Sequence, residues 1–356
     1  MEQSRPGGTA SGGEERAGVG RASCAATPHG RLSRRGALVA ILATAGASFA
    51  EAGTPRRPPI TAAVIAPGAN EVVIASQAGI EVLSYPALDA VRRLATKMSN
   101  VHDLCFAADD LLVAAGGYPA EGGVLELFDW PGGERRASVE LHDDVIYAAD
   151  CAGGRCLTAS ADGKAQVFDL AAQRVVATFA GHSRPVLAAA LLPGPEIHLA
   201  ATAGIDETLR LWNTNTGEQV RSLHNHRAAV RALALKPAPA SAPGGDAASA
   251  TAIIASAGAD RTVRFWQPVI GRMMRFVELP SNPLALAWSR GGDRLAVTCE
   301  DGAVRLLDPV AARITATRPA VTGWAHALCV HPAAPGAPAA LVGGPDHQLI
   351  RIDLAE

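Results

Sequence analysis

Ser256, His226 and Asp260 are the residue types of a nucleophilic triad, in which a histidine takes the proton of a serine hydroxyl and a carboxylate orients the imidazole. That chemistry would be acyl transfer. A second set of the same kind, Thr202, His182 and Asp206, stands upstream, and in both the hydroxyl residue precedes its aspartate by four positions. A third, Thr158 and Asp162, has His142 as its candidate partner. A catalytic site occurs once, whereas a structural device recurs, so the duplication assigns these sets to structure. The ten histidines are otherwise dispersed, with no HExxH motif, no Cys/His cluster and no Asp-x-Asp calcium loop, and neither a metal nor a cofactor is expected. Six cysteines (Cys24, Cys105, Cys151, Cys156, Cys299 and Cys329) make no CxxC. Cys151 and Cys156 flank a Gly-Gly turn and could face each other across a hairpin, as a disulfide or, the plainer reading, as two small buried apolar side chains. Cys105, Cys299 and Cys329 sit in apolar strand patterns and read as core. Gly116-Gly117, Gly122-Gly123 and Gly132-Gly133 read as turns and precede no helix, so no phosphate loop is expected.

A repeat must position these residues. The segment 202–212, Thr-Ala-Gly-Ile-Asp-Glu-Thr-Leu-Arg-Leu-Trp, aligns with 256–266, Ser-Ala-Gly-Ala-Asp-Arg-Thr-Val-Arg-Phe-Trp, and with 158–168. The segments 297–307 and 342–352 are degraded copies. Taking the last residue of each as an anchor and extending backward adds Phe128 and Leu83. The anchors then fall at 83, 128, 168, 212, 266, 307 and 352, spaced by 45, 40, 44, 54, 41 and 45. The long interval holds a Pro/Ala/Ser/Gly insertion at 237–250, which lengthens a loop without changing its unit. Each unit divides into four short apolar runs bounded by turn residues, as at 186–192, 198–202, 208–212 and 218–223. No sustained helical period appears between residues 60 and 354.

Gly181-His182, Asp206 and Trp212, and again His226, Asp260 and Trp266, resemble the GH…WD signature of WD40 repeats. The likeness is fullest in units four and five, partial in unit three and faint elsewhere. It implies an all-β, seven-bladed propeller of four-stranded antiparallel blades at about 60–98, 99–140, 141–180, 181–224, 225–279, 280–319 and 320–354. It also implies a hydrogen-bonded tetrad in which aspartate orients histidine, histidine meets Ser or Thr, and that hydroxyl meets the indole N–H of Trp212 or Trp266. Phe168 takes the tryptophan place in unit three, and Gln77 and Gly122 stand where the aspartate would be in units one and two. The last unit shows three runs and no fourth. Residues 51–58 are the candidate closing strand, though Pro55, Pro58 and Pro59 suit only an edge.

Partners of such repeats commonly meet the face that carries the loop after the histidine and the residue before the turn aspartate. By position, Asp143, Asp144, Arg184, Ile205, Arg227 and Glu300 are the candidates for that face, although each alone also reads as an ordinary solvated loop residue. Net charge of −2 and scattered arginines argue against nucleic acid. Of the predicted inner strands, only Asp103 and His326 stand out as polar, which disfavours the rival reading, an enzyme with its site at the channel mouth. Met273, Met274 and Phe276 could form an exposed soft contact, but packing of an outer strand is the plainer reading.

Residues 1–50 read as a separate leader, a disordered region with a signal peptide. Arg34 and Arg35 precede a weakly apolar run of about fifteen residues, too short to favour a membrane span, that ends Ser48-Phe49-Ala50, the layout of a cleaved signal peptide with a twin-arginine-like pair. Residues 51–59 read as a linker. The expectation is a non-catalytic interaction scaffold, exported to the periplasm, the envelope or the medium. Its partner would be another protein or peptide. If the leader stays in place, a cytoplasmic regulatory scaffold is the alternative.

Overall fold

The computed structural model describes residues 57–193, 198–237, 252–331 and 339–354. They fold into seven antiparallel sheets, six of four strands and one of three, each a simple meander in chain order. The sheets span 60–94, 100–142, 146–179, 186–223, 230–278, 283–319 and 327–353. The first strand of every sheet packs against the first strands of its two neighbours, and that of the seventh, Ala327–Val330, against that of the first, Ile60–Ile65, so the sheets are blades around a closed ring.

Burial follows the radius. Val186–Leu191, on the inside, alternates because one row of side chains faces the axis. In the second strand, Leu199–Gly204, every residue after the first is buried, because it is covered on both faces by other blades. The outermost strand, Gln219–Leu223, is mostly exposed. No blade has a core of its own. The apolar side chains gather in clusters that lie between blades: Leu209, Leu211 and Leu223 of the fourth meet Val230, Ile254 and Trp266 of the fifth. Val263 and Phe265 of the fifth then meet Trp288 and Leu307 of the sixth. A single repeat could not bury either face, so the ring is the smallest stable unit.

Among the described residues, ring closure is made by side chains and one backbone bond. The Ile60 N–H donates to Gly344 O at 3.1 Å. His331 Nε2 meets Ala69 O at 3.0 Å while its ring stacks on Tyr85 with centroids 4.0 Å apart. His347 lies 3.2 Å from Glu81 Oε2. Among the described residues the outer strand of the seventh blade, Leu349–Asp353, has no strand partner on its far side. Positions 51–56 of the candidate closing strand, Arg34, Arg35 and the rest of the leader lie outside the described residues, as does most of the insertion at 237–250.

Two expectations are corrected. Gly116-Gly117 and Gly122-Gly123 are not turn residues but lie in the paired strands Leu111–Tyr118 and Gly122–Asp129. The reason is close approach, since a Cβ on Gly116 would sit 2.0 Å from Asn100 O and one on Gly117 2.2 Å from Gly122 O. Met274 and Phe276 are not packed but 39% and 46% exposed on the outer strand Arg272–Glu278. Met273 alone turns inward, onto the cluster between the fourth and fifth blades.

Candidate functional site

The turn between second and third strands is where polar residues converge. In the fifth blade Asp260 accepts from the Arg227 and Thr262 N–H groups at 3.1 and 3.2 Å. His226 Nδ1 lies 3.0 Å from Asp260 Oδ2, and its Nε2 lies 2.7 Å from Ser256 Oγ. The Trp266 Nε1–H donates to Ser256 Oγ at 2.8 Å. Donor arithmetic fixes the protons: Nδ1 carries one toward Asp260, and the Ser256 hydroxyl, already accepting from Trp266, gives its own to Nε2. Burial lowers the pKa of His226 despite the opposing pull of Asp260, keeping the ring neutral. For Asp260 burial alone would favour the protonated form, but the bonds from Thr262, Arg227 and His226 outweigh it and hold the carboxyl below its usual range.

The fourth blade repeats this with one bond missing. His182 sits 2.9 Å from Asp206 Oδ2 and 2.9 Å from Thr202 Oγ1. Asp206 is likewise held low, its burial outweighed by His182 and Thr208. The expected bond from the Trp212 indole to Thr202 is absent, and Trp212 Nε1 has no hydrogen-bond partner among the described residues. The indole instead stacks on Phe179, with centroids 5.2 Å apart. In the third blade His142 joins Asp162 at 3.0 Å and Thr158 at 2.8 Å, and Phe168 fills the tryptophan place. Ser256, Thr202 and Thr158 are all 0% exposed, so the arrangement presents no reachable nucleophile.

At this end of the blades the interblade loops and turns carry the remaining candidate side chains. Asp143, Arg184 and Arg227 are exposed; Asp144, Ile205 and Glu300 are half-buried. Asp144 is committed, accepting from the Ala120 and Val145 N–H groups at 2.7 Å each, and Glu300 is shared by Arg231 and Asn282. Asp143 pairs with Lys164 at 2.7 Å. The structure adds Trp324, 37% exposed in the loop between the sixth and seventh blades, its ring 5.7 Å from that of His326.

The axis is more polar than its sequence suggested. Inner-strand residues enclose a volume of about 270 Å³ that includes His102, Tyr147, Arg231 and His326 besides Thr61 and Asp103. His102 meets Tyr147 edge-on at 5.2 Å, and burial pushes its pKa down to about 4. His326 is lowered by burial and by Arg231. Asp103, in contrast, turns away to the next blade, accepting from the Ala149 N–H at 2.9 Å, and burial pushes it up to about 7. His102, Tyr147 and Arg231, which the sequence did not single out, fall on the inner strands Asn100–Ala108, Ile146–Ala152 and Val230–Leu235, where a period-two signal is hidden among small apolar residues.

Cys151 and Cys156 are directly paired across their hairpin and form a disulfide with an S–S distance of 2.06 Å, in place of two free apolar side chains. Cys299 is buried, and Cys105 and Cys329 are half-buried free thiols.

Comparison with known proteins agrees with this geometry. The family profile described as "WD domain, G-beta repeat" matches residues 173–213 and 217–267. The periodic tryptophan protein 2 homolog of Dictyostelium discoideum is 22% identical over 215 residues, 59% of this chain and 22% of that protein. The nuclear distribution protein PAC1 of Arthroderma otae is 25% identical over 192 residues, 51% of this chain and 38% of its own length. FIZZY-RELATED 3 of Arabidopsis thaliana is 30% identical over 100 residues, 28% of this chain and 18% of that protein. The chain therefore spans well under half the length of these relatives. Among the described residues no helix is long and apolar enough to cross a membrane. With the matched repeats set in a closed ring of blades, the chain is a seven-bladed propeller whose residues 173–213 and 217–267 match the WD40 repeat.

Proposed function

We propose that this propeller is a protein-interaction scaffold whose docking surface is the face that carries the interblade loops and the turns after each second strand. The observation that supports it most is the division of labour at that face. The histidines and turn aspartates of blades three to five bond one another, which leaves Arg184, Arg227 and Trp324 exposed on a rigid frame. Arginine and tryptophan are the side chains that most often dominate binding energy, because they offer large contact area and directed donors. The partner is a protein or peptide. Export supports a setting for it: Arg34-Arg35, the apolar run and Ser48-Phe49-Ala50 have the layout of a twin-arginine-like leader, and fractionation of cells carrying Arg34→Lys with Arg35→Lys tests this, with loss from the envelope fraction expected.

Affinity capture by the chain, followed by quantitative mass spectrometry, tests the scaffold. Proteins captured by the wild type should fall at least about tenfold with Trp324→Ala, Arg184→Ala and Arg227→Ala combined, a modest loss for three central contacts. They should persist with Val310→Asp, which alters an exposed residue on the turn before an outer strand. Equal capture by both variants would overturn the assignment of the face. Turnover of a small molecule that depends on His102 and Arg231, with no protein captured, would favour an enzyme of the channel mouth.

A further inference from the structure

Three sulfurs meet at the junction of the second and third blades. The Sγ atoms of Cys105, Cys151 and Cys156 all lie within 4.8 Å of one another, and Cys105 Sγ is 3.3 Å from Cys151 Sγ. Nothing in local sequence brings Cys105 there, since it precedes Cys151 by 46 residues. The neighbouring inner strands do, and their register is visible. Asp103 on Asn100–Ala108 accepts from the Ala149 N–H on Ile146–Ala152. Two residues further along each strand the side chains return to the same face, and those residues are Cys105 and Cys151. Cys156 then stands opposite Cys151 in the hairpin.

A structural disulfide between Cys151 and Cys156 needs no third sulfur, yet the fold delivers one to van der Waals contact. We propose that Cys105, Cys151 and Cys156, once reduced, are a three-sulfur site for a thiophilic divalent cation of the zinc(II) class, and that the Cys151–Cys156 disulfide is its closed form. Zinc–sulfur bonds of about 2.3 Å in a tetrahedral site place sulfurs about 3.8 Å apart. The Cys105–Cys151 separation is within about half an ångström of that spacing, and opening the disulfide supplies the other edges by side-chain rotation. A dication suits the charge: with three thiolates it leaves a net −1, where a monovalent ion would leave −2. Asp103 and Asp150 are already engaged by the backbone N–H groups of Leu104, Ala149 and Leu191, so the fourth position falls to water.

Opening the site is a two-electron reduction. A dithiol reductant gives two electrons and two protons to the Cys151–Cys156 bond, yielding two thiols, and itself becomes a disulfide. Binding the cation then forms three metal–sulfur bonds and releases the three thiol protons to solvent.

The test uses the full chain, reduced by a phosphine under anaerobic conditions and freed of excess reductant, with the gain of two thiols measured first. Cobalt(II), a coloured stand-in for zinc, is titrated in while thiolate-to-cobalt absorption in the near ultraviolet is followed, and zinc affinity is read by chelator competition. One equivalent should bind to the reduced chain and none to the oxidised chain. Zinc should raise the melting temperature of the reduced form alone. Cys105→Ser should weaken binding at least about 100-fold, as loss of a direct ligand exceeds the 10–100-fold of outer-shell changes, while Cys329→Ser should bind as the wild type. Cys156→Ser, judged folded by circular dichroism, serves as the second ligand variant and should weaken binding likewise. The proposal fails if the fully reduced chain binds no cobalt, if the oxidised chain binds equally well, or if Cys105→Ser and Cys156→Ser both bind like the wild type.

Discussion

Two tryptophans at the same place in successive repeats are used differently. Trp266 Nε1 donates to Ser256, whereas Trp212 Nε1 donates to nothing among the described residues and Phe179 lies flat against its ring. Replacing Trp266 by Phe loses a buried hydrogen bond along with ring volume; replacing Trp212 by Phe loses volume alone. Chemical unfolding should therefore show Trp266→Phe costing about 1 kcal/mol more than Trp212→Phe, the net worth of one such bond. Equal costs would mean that the indole bond contributes nothing. The aspartates carry a second expectation. Asp162, Asp206 and Asp260 each ionise more readily in the folded chain, because the bonds from His142, His182 or Thr262 and their neighbours outweigh the effect of burial. A carboxyl depressed on folding stabilises fully above its unfolded value near ~4 and loses that contribution as pH falls below it. Melting temperature should drop steeply below about pH 4, and Asp206→Asn should lower the neutral-pH value while flattening the acid slope. An unchanged slope would show that the tetrads are not what acid attacks.

At the scale of the element, the turn after the second strand is the recurrent device. The residue following its aspartate has positive φ in five blades: Gly163 at 82°, Glu207 at 66°, Arg261 at 59°, Gly302 at 76° and His347 at 61°. Glycine visits this region freely, and other residues at a cost near 1 kcal/mol. Glu207→Gly should thus be neutral or stabilising by up to about 1 kcal/mol, in spite of glycine's larger unfolded entropy; a clear loss in thermal melts would show that the Glu207 side chain has an unrecognised contact. The second blade supplies the opposite case. Gly116 approaches Asn100 O so closely that Gly116→Ala must push its strand away from the neighbouring one, and a loss of about 2 kcal/mol or more is expected in the same melts. Sequence showed these glycines only as pairs, and pairs of glycine most often mean turns.

For the whole molecule, stability resides in the junctions. Ile60, fully buried, stands at the seam between first and last blades with Ile74, Leu83, Ala327 and Leu341. Truncating it to alanine should cost about 2–5 kcal/mol, the range for a buried isoleucine. In amide exchange the lost protection should concentrate in the first and seventh blades, whose only backbone link among the described seam bonds is Ile60 to Gly344. Protection lost evenly around the ring would mean that the propeller opens as one unit rather than at its seam.

How much of this was legible beforehand depends on distance along the chain. The blade count, the strand pattern and the hydroxyl–aspartate pairs around Asp162, Asp206 and Asp260 repeat at short or near-equal offsets, so they could be read from the residues alone, whereas the histidines, 20, 24 and 34 residues upstream of those aspartates, were placed by the resemblance to WD40 repeats. Strand periodicity and turn chemistry act over a few residues and leave their mark in order and spacing. The sulfur cluster, the polar axis residues His102, Tyr147 and Arg231, the glycine contacts of the second blade and the exposure of Met274 and Phe276 could not. Each depends on the register between strands that lie tens of residues apart or on which face a neighbouring blade covers. Those choices are made when apolar faces that no blade can bury alone are pressed together around the ring, and only the assembled structure records them.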